Sequence, residues 1–157
     1  MGGVVVNAPT VLVLGSSAVA VSGPADTAEN ILATVTIPAG AMGTNGRLRI
    51  ESLWTTTNSA NNKIPRIRLG GIGGTQFMGR VIGAAATFYN LFTIANRGVT
   101  NSQISNQANG DVTISTAAVV TGTIDTSAAQ TLVFTGQKAS AGETITLESY
   151  LVELITP

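Results

Sequence analysis

Apolar and polar residues alternate with a period of two along much of this chain, which is the pattern of half-buried β-strands. In the clearest stretch, the alternation places four apolar side chains on one face: Ile31, Ala33, Val35 and Ile37. No segment sustains the 3.6-residue period of an amphipathic helix. Clusters of Gly, Asn, Ser and Pro interrupt the strand patterns about every 8–12 residues. About eight to ten short strands spaced in this way predict an all-β sandwich or barrel.

The strand predicted around residues 47–54 contains the single tryptophan of the chain. Leu48, Ile50 and Trp54 share its apolar face, whereas Arg47 and Arg49 lie on the opposite face. We expect Trp54 to be buried in the core because it continues the apolar row. The alternative is a surface position where its ring stacks on a sugar.

The next predicted strand, residues 66–69, also has an apolar face and a basic face. Ile67 and Leu69 point inward, and Arg66 and Arg68 point outward. The GGIGG sequence that follows joins two strand patterns and lacks the Lys-Ser/Thr pair of a phosphate-binding loop. We therefore expect it to connect a β-hairpin.

The longest predicted strand lies near the C-terminus, over residues 144–155. Its alternation assigns one set of side chains to the first face, namely Ile145, Leu147, Leu151 and Ile155. A second set falls on the other face, namely Glu148, Tyr150 and Val152. Because of its length, we expect this strand to lie centrally in a sheet.

The first nine residues, MGGVVVNAP, differ from the rest because they carry no charge and end in a proline. The three adjacent valines, Val4, Val5 and Val6, favour pairing with another segment. We predict a short extended N-terminal arm over residues 1–9, followed by a single β-sandwich domain over residues 10–157. Simple disorder of the terminus is the alternative.

Charged residues are scarce in this chain. Only 10% of the 157 residues are charged, and eight basic residues balance eight acidic ones, whereas an average globular domain has about 25% charged residues. So few ionised groups cannot cover a monomer, and we therefore predict a homo-oligomer whose subunit contacts bury the excess apolar area. The zero net charge argues against nucleic acid or an anionic membrane as a partner.

The few charges are also segregated along the sequence. Seven of the eight basic residues lie between residues 47 and 97, and acidic residues dominate after residue 100. The arginine rows could pair across strands with the C-terminal glutamates, or they could lie across a subunit boundary and fix its orientation. The candidate partner-binding residues are Val4, Val5, Val6, Arg47, Arg49, Arg66 and Arg68.

The sequence offers no recognisable catalytic or metal-binding site. It lacks histidine and cysteine, which removes the usual general base, thiolate ligands and disulfides. Glu148 and Glu153 are five residues apart on a predicted strand, so they should point to opposite faces and not act together on a glycosidic bond. Asn106, Asn109 and Asp111 could hold Ca²⁺, but with one carboxylate an Asx-type turn is favoured. We expect no enzymatic activity and no cofactor.

One part of the chain resembles virion proteins of tailed bacteriophages. The shared pattern is ATVTIPAGAMG, then NGRLRI, an aromatic strand, and a NSANNK turn before an Arg-bearing strand. The segment LESYLVEL also resembles the closing strand of those proteins. The resemblance covers Ile31–Thr75 and Glu143–Leu154, and it implies an antiparallel jelly-roll-like β-sandwich, an oligomer with a trimer favoured, and no enzymatic activity.

Such domains occur as small stand-alone structural proteins and at the tips of tail fibres. The short chain and its apolar arm favour a capsid decoration (cement) protein that binds the major capsid protein on the outside of the head. The alternative is a receptor-binding module whose polar loops, Asn58–Asn62 and Asn101–Gly110, hold a host surface glycan. A third hypothesis is an enzyme that acts on cell-wall sugars through Glu148. We expect a virion location and synthesis in the host cytoplasm, since no Lys or Arg of a signal peptide precedes the first apolar run.

Overall fold

The chain folds into two antiparallel β-sheets that pack face to face. The computed structural model describes residues 8–107 and 116–157. The strands are β1 (Thr10–Ser17), β2 (Val21–Ser22), β3 (Asn30–Ile37), β4 (Arg47–Thr56), β5 (Lys63–Leu69), β6 (Thr75–Gly79), β7 (Thr87–Asn96), β8 (Gln103–Gln107), β9 (Val119–Gly122), β10 (Gln130–Lys138) and β11 (Ile145–Thr156). The described residues form no helix, and therefore none that could cross a membrane. The predicted all-β sandwich is confirmed.

The chain passes repeatedly from one sheet to the other, as in a jelly roll. The larger sheet has the strand order β1-β11-β4-β7-β8-β9, with β2 also paired to β11. The smaller sheet has the order β3-β10-β5-β6. The longest strand, β11, lies inside the larger sheet between β1 and β4, which confirms its predicted inner position.

The core lies between the inner faces of the two sheets. The predicted inward residues of β4 and β5 are all fully buried: Leu48, Ile50, Trp54, Ile67 and Leu69. The Trp54 indole Nε1 donates a hydrogen bond to Ser52 Oγ at 2.8 Å, also inside the core. The core position of Trp54 is therefore confirmed, and the stacking alternative is wrong.

A bulge in β3 changes the predicted face of that strand. The pairing with β10 shifts between Ile31 and Ala33, which leaves Leu32 as the extra residue. Leu32 is buried and Ile31 is 47% exposed. The prediction that Ile31 faces the core is wrong, because an inserted residue inverts a period-two pattern on one side of the bulge.

A second bulge inverts most of β11. Its pairing with β4 shifts between Leu147 and Ser149, so Glu148 is the extra residue. Beyond this point Val152 is buried opposite the core residue Ile50. Leu151 lies opposite outward-facing Glu51 of β4, and Ile155 lies opposite Arg47. The prediction that these two residues share a face with Ile145 and Leu147, which are buried, is therefore wrong.

The GGIGG segment forms the hairpin connection between β5 and β6, as predicted. Gly70 and Gly71 have φ angles of 92° and 77°, a region that glycine adopts without the steric penalty of a Cβ. At Gly74, a Cβ atom would lie 2.0 Å from the Leu69 carbonyl oxygen. The glycines therefore serve the tight turn.

A buried polar cluster fixes three loops at one end of the sandwich. The Gln103 amide nitrogen donates to Asn96 Oδ1 and to the Ile124 carbonyl, both at 2.9 Å, and its oxygen accepts from the Ile124 N–H at 2.9 Å. Asn96 Nδ2 donates to the Gly43 carbonyl at 2.6 Å and to Thr126 Oγ1 at 2.9 Å. These bonds join the loops that follow β3, β7 and β9.

We expect Trp54→Ala to lower the free energy of unfolding by about 3–5 kcal/mol, because it removes a large buried side chain and leaves a cavity. Urea denaturation measures the change. Thr36→Ala, on the solvent side of β3, serves as the control and should stay within about 0.5 kcal/mol of the parent protein. A similarly small loss for Trp54→Ala would contradict the core assignment.

We expect Gln103→Ala to cost about 2–4 kcal/mol, because it leaves several buried polar groups without partners. The matched control is Gln130→Ala. Its amide also donates to a carbonyl, that of Asp125 at 2.7 Å, but this bond is exposed, so its loss should cost less than about 1 kcal/mol. Equal losses for the two variants in urea denaturation would argue against a structural role of the buried cluster.

Candidate interaction surfaces

The two predicted arginine pairs lie on opposite outer faces of the sandwich. Arg47 and Arg49 alternate with buried residues of β4 and face outward from the larger sheet. Arg66 and Arg68 alternate with buried residues of β5 and face outward from the smaller sheet. The fold therefore does not bring the four arginines into one patch. The other candidates, Val4, Val5 and Val6, lie outside the described residues.

Arg49 forms an ion pair with Glu153 on the outer face of the larger sheet. The two residues are direct neighbours across β4 and β11, and the guanidinium group binds the carboxylate through both Nε and Nη2. The arginine side chain is 48% exposed, so solvent screens the pair and its contribution to stability is about 0–1 kcal/mol. The predicted cross-strand pairing occurs here.

The arginines of β5 have a different partner from the one predicted. Glu29, just before β3, accepts from Arg68 Nε at 2.8 Å and from Arg68 Nη2 at 3.0 Å. Arg66 Nη1 lies 3.3 Å from the same carboxylate, and Thr135 Oγ1 donates to it at 2.6 Å. The expected partners were C-terminal glutamates, but the two guanidinium groups converge on an N-terminal one across β10.

The ion cluster formed by Glu29, Arg66 and Arg68 changes the acidity of the glutamate. Burial alone would raise the pKa of Glu29, but the hydrogen bonds from Arg68 and Thr135 and the charges of both arginines outweigh it. The pKa of Glu29 therefore lies below its usual range. The side chains of Arg66 and Arg68 are only 14% and 19% exposed, so most of their surface is used within the chain.

The NSANNK turn folds around a buried lysine. Lys63 Nζ donates to the Ser59 carbonyl at 3.2 Å and to Ser59 Oγ at 3.1 Å, and it lies 3.8 Å from Glu143 Oε2. The other oxygen of Glu143 accepts from Asn61 Nδ2 and Ser59 Oγ, both at 2.8 Å. These hydrogen bonds, with that of Asn61 the strongest influence, hold the pKa of Glu143 below its usual range. The polar side chains of Ser59 and Asn61 thus stabilise this turn.

The two glutamates that we considered for glycan chemistry lie on one outer face, contrary to the prediction of opposite faces. The bulge brings Glu148 to Thr55, whose hydroxyl donates to it at 2.5 Å, whereas Glu153 pairs with Arg49. Thr55 and Arg49 are six residues apart on β4, a separation of about 20 Å along an extended strand. Two carboxylates so far apart cannot act as a glycosidase pair.

The suggested calcium site lies mainly in the part of the chain that is not described. Asn106 belongs to β8, but Asn109 and Asp111 lie outside the described residues. Within the described ranges, no three His, Cys, Asp or Glu side chains are grouped so as to hold a metal ion.

An exposed apolar surface that we did not predict covers the outside of the larger sheet. Leu53 on β4 and Tyr89 and Leu91 on β7 are 37%, 55% and 38% exposed. Val11 and Val13 on β1 are more than half exposed. A signal was present in the sequence, because Leu53 continues the outward register of Arg47, Arg49 and Glu51.

No protein-family profile matches this chain, and no curated protein sequence is significantly similar to it. Several solved structures are similar in fold. One is the CBM2 module of the evolved Dit protein of Lactobacillus casei BL23 phage J-1, with 13% identity and a TM-score of 0.40 over 78% of this chain and 68% of that one.

A second similar structure is the VP2 subviral particle of infectious bursal disease virus, with 12% identity and a TM-score of 0.45 over 95% of this chain. The match spans about a third, 32%, of the VP2 chain. A third is a conserved carbohydrate esterase of the Shiga toxin-encoding bacteriophage phi24B, with 12% identity and a TM-score of 0.40 over 92% and 99% of the two chains.

The chain resembles phage and viral β-proteins. At such low identities and TM-scores, the similarity concerns the arrangement of strands and assigns no activity.

We expect Glu29→Gln to lower the free energy of unfolding at pH 7 by about 1–3 kcal/mol, because Arg68 loses a charged hydrogen-bond acceptor and Arg66 loses its ion-pair partner. The folded pKa of Glu29 lies below its unfolded value. Its contribution is therefore fully present above the unfolded pKa, about 4.3, and is lost as the pH falls through the folded pKa. Urea denaturation from pH 7 to pH 3 should show the difference from the parent protein shrinking below about pH 4.3.

Glu153→Gln, which breaks the half-exposed pair with Arg49, is the control for this experiment and should cost less than about 1 kcal/mol. A Glu29→Gln penalty that stays constant down to pH 3 would show that the carboxylate charge does not stabilise the fold.

Proposed function

We propose that this chain is a structural protein of a bacteriophage particle, a decoration protein that binds the outside of the head as a homo-oligomer. The observation that carries the proposal is the exposed apolar outer face of the larger sheet in a chain with only 10% charged residues. A broad apolar sheet face suits contact with protein surfaces. No enzymatic role is proposed.

The first strand supports a role of the N-terminal arm in attachment. β1 is an edge strand of the larger sheet, so one side of its backbone is available for pairing with another chain. Val11, Leu12 and Val13 are 56%, 53% and 52% exposed. Leu12 is exposed although it lies on the inner side, opposite Leu154, so the smaller sheet does not cover this end of β1. In the sequence, the predicted arm directly precedes β1.

The glycan-binding alternative gains less support from the predicted loops. In the loop Asn58–Asn62, the side chains of Ser59 and Asn61 are bound to Glu143 and therefore contribute little to a surface that could hold a sugar. The other loop, Asn101–Gly110, lies partly outside the described residues. No described arrangement favours a sugar site over a protein contact.

We expect deletion of Met1–Pro9 to weaken binding to purified heads of the cognate phage by about tenfold or more, a loss of about 1.4 kcal/mol. Co-sedimentation with heads measures the occupancy. A full-length variant with Val4, Val5 and Val6 changed to serine separates the apolar side chains from arm length, and it should also bind more weakly. Arg80→Gln, outside both the arm and the apolar face, is the control that should retain binding.

Unchanged occupancy after the deletion would count against the role of the arm. Density for the chain only at the tail in an electron-microscopy map of the virion would refute the decoration role. In that case, binding of the purified protein to host cells, lost on substitution of Asn58 and Asn62, would establish the receptor-binding alternative.

A further inference from the structure

The outer face of the larger sheet carries exposed apolar residues on several neighbouring strands. We define the outer apolar face by Leu53, Tyr89, Leu91, Val11 and Val13. Leu53 lies directly opposite Tyr89 across β4 and β7. Between β4 and β1, the outward side chains of β11 extend the surface, because Ile155 lies opposite Val11 and Leu151 lies opposite Glu51. The apolar residues therefore form two groups on this face, with the Arg49–Glu153 ion pair between them. One group contains Leu53, Tyr89, Leu91 and Leu151, and the other contains Val11, Val13 and Ile155.

The size of this face fits a specific protein contact. Four neighbouring strands spaced about 4.8 Å apart and about 30 Å long span on the order of 600 Å². Specific interfaces bury about 600–1,000 Å² on each partner. The whole outer face, charged residues included, therefore reaches the lower end of this range.

The charged residues within the face indicate which binding partner it fits. They are Arg47, Arg49, Glu51 and Glu153, two of each sign, on adjacent strands. Arg49 is neutralised by Glu153, and the Glu51 carboxylate lies near the Tyr89 side chain. A partner surface whose charges all have one sign would place some of them against residues of the same sign on this face. A second copy of this chain offers the same apolar area and both signs, and can therefore match it.

We propose that the outer apolar face is the contact through which copies of this chain associate. This inference adds a contact surface to the proposed function. It rests on that function only because a decoration protein is expected to be a homo-oligomer. The opposite outer face does not compete for this role, since the ion cluster of Glu29, Arg66 and Arg68 already occupies it.

The test compares the oligomeric mass of the parent protein with that of the double variant Leu53→Arg, Leu91→Arg. Both positions are more than a third exposed, so the chain can accommodate the arginines when monomeric. Light scattering coupled to size-exclusion chromatography should give an oligomer for the parent protein and a monomer for the variant. We expect the dissociation constant to rise at least about 100-fold.

The matched control is the double variant Ile72→Arg, Val99→Arg. These two apolar residues are 46% and 47% exposed but lie in the β5–β6 and β7–β8 turns, away from the outer apolar face. This variant should keep the mass of the parent oligomer. Circular dichroism of each variant verifies that the β-fold is retained.

A second measurement keeps the inference testable if the arginine variant fails to fold. The chain contains no cysteine, so Leu91→Cys introduces a single thiol into the face and Ile72→Cys introduces one outside it. In the oligomer, the thiol at position 91 should react with a maleimide at least about tenfold more slowly than after dilution to monomer. The thiol at position 72 should react equally fast in both states.

Three outcomes would overturn the inference. They are a parent protein that is monomeric at all concentrations, an unchanged oligomer in the Leu53→Arg, Leu91→Arg variant, and a thiol at position 91 that stays reactive in the oligomer. If that variant remains oligomeric but no longer binds heads, the face contacts the capsid protein, and the proposed function stands while the inference fails. If it is monomeric and neither it nor the parent binds heads, the inference stands and the decoration role fails.

Discussion

The register of β11 determines which side of the larger sheet is core and which side is surface. This strand pairs with β1 on one side and with β4 on the other, so an error of one residue would move its whole apolar set to the other face. The bulge at Glu148 makes that shift once. As a result Val152 enters the core, and Leu151 joins the outward residues. The outward position of Leu151 and Ile155 is thus a direct consequence of one extra residue in β11.

Polar side chains hold the two ends of the sandwich together. Gln103 fixes loops at one end through hydrogen bonds to backbone groups. Lys63 and Lys138 are direct neighbours on β5 and β10, an arrangement of like charges that is unfavourable unless each finds its own partner. Lys63 binds Ser59 and lies near Glu143, and Lys138 Nζ donates to the Pro24 carbonyl at 2.5 Å. The NSANNK motif therefore forms a structural turn.

The sequence predicts strands with regular alternation well and fails where the regularity is broken. Leu48, Ile50 and Trp54 are assigned correctly because β4 contains no bulge. The orientations of Ile31 and Leu151 could not be predicted, since an inserted residue leaves no mark in composition or period. The partner of Arg66 and Arg68 was missed for a different reason. Glu29 reaches them across β10, and this contact can be predicted only when the order of the strands in the sheet is known.

The side chains of the two outer faces differ in whether they have partners within the chain. This difference distinguishes a face that stabilises the fold from a face that is available for binding. On the smaller sheet, the arginines are mostly buried and bound to Glu29, so engaging a partner through them would first break a charged cluster at a cost of about 1–3 kcal/mol. On the larger sheet, apolar side chains lie exposed beside one half-exposed ion pair, and covering them removes apolar area from water at a gain of about 25 cal/mol per Å².

Because β1 forms the margin of this face and directly follows the predicted N-terminal arm, the proposed contact between copies and the proposed attachment to the head would lie side by side. Association of the chains would then place several arms at one site, and their combined binding would exceed that of a single arm.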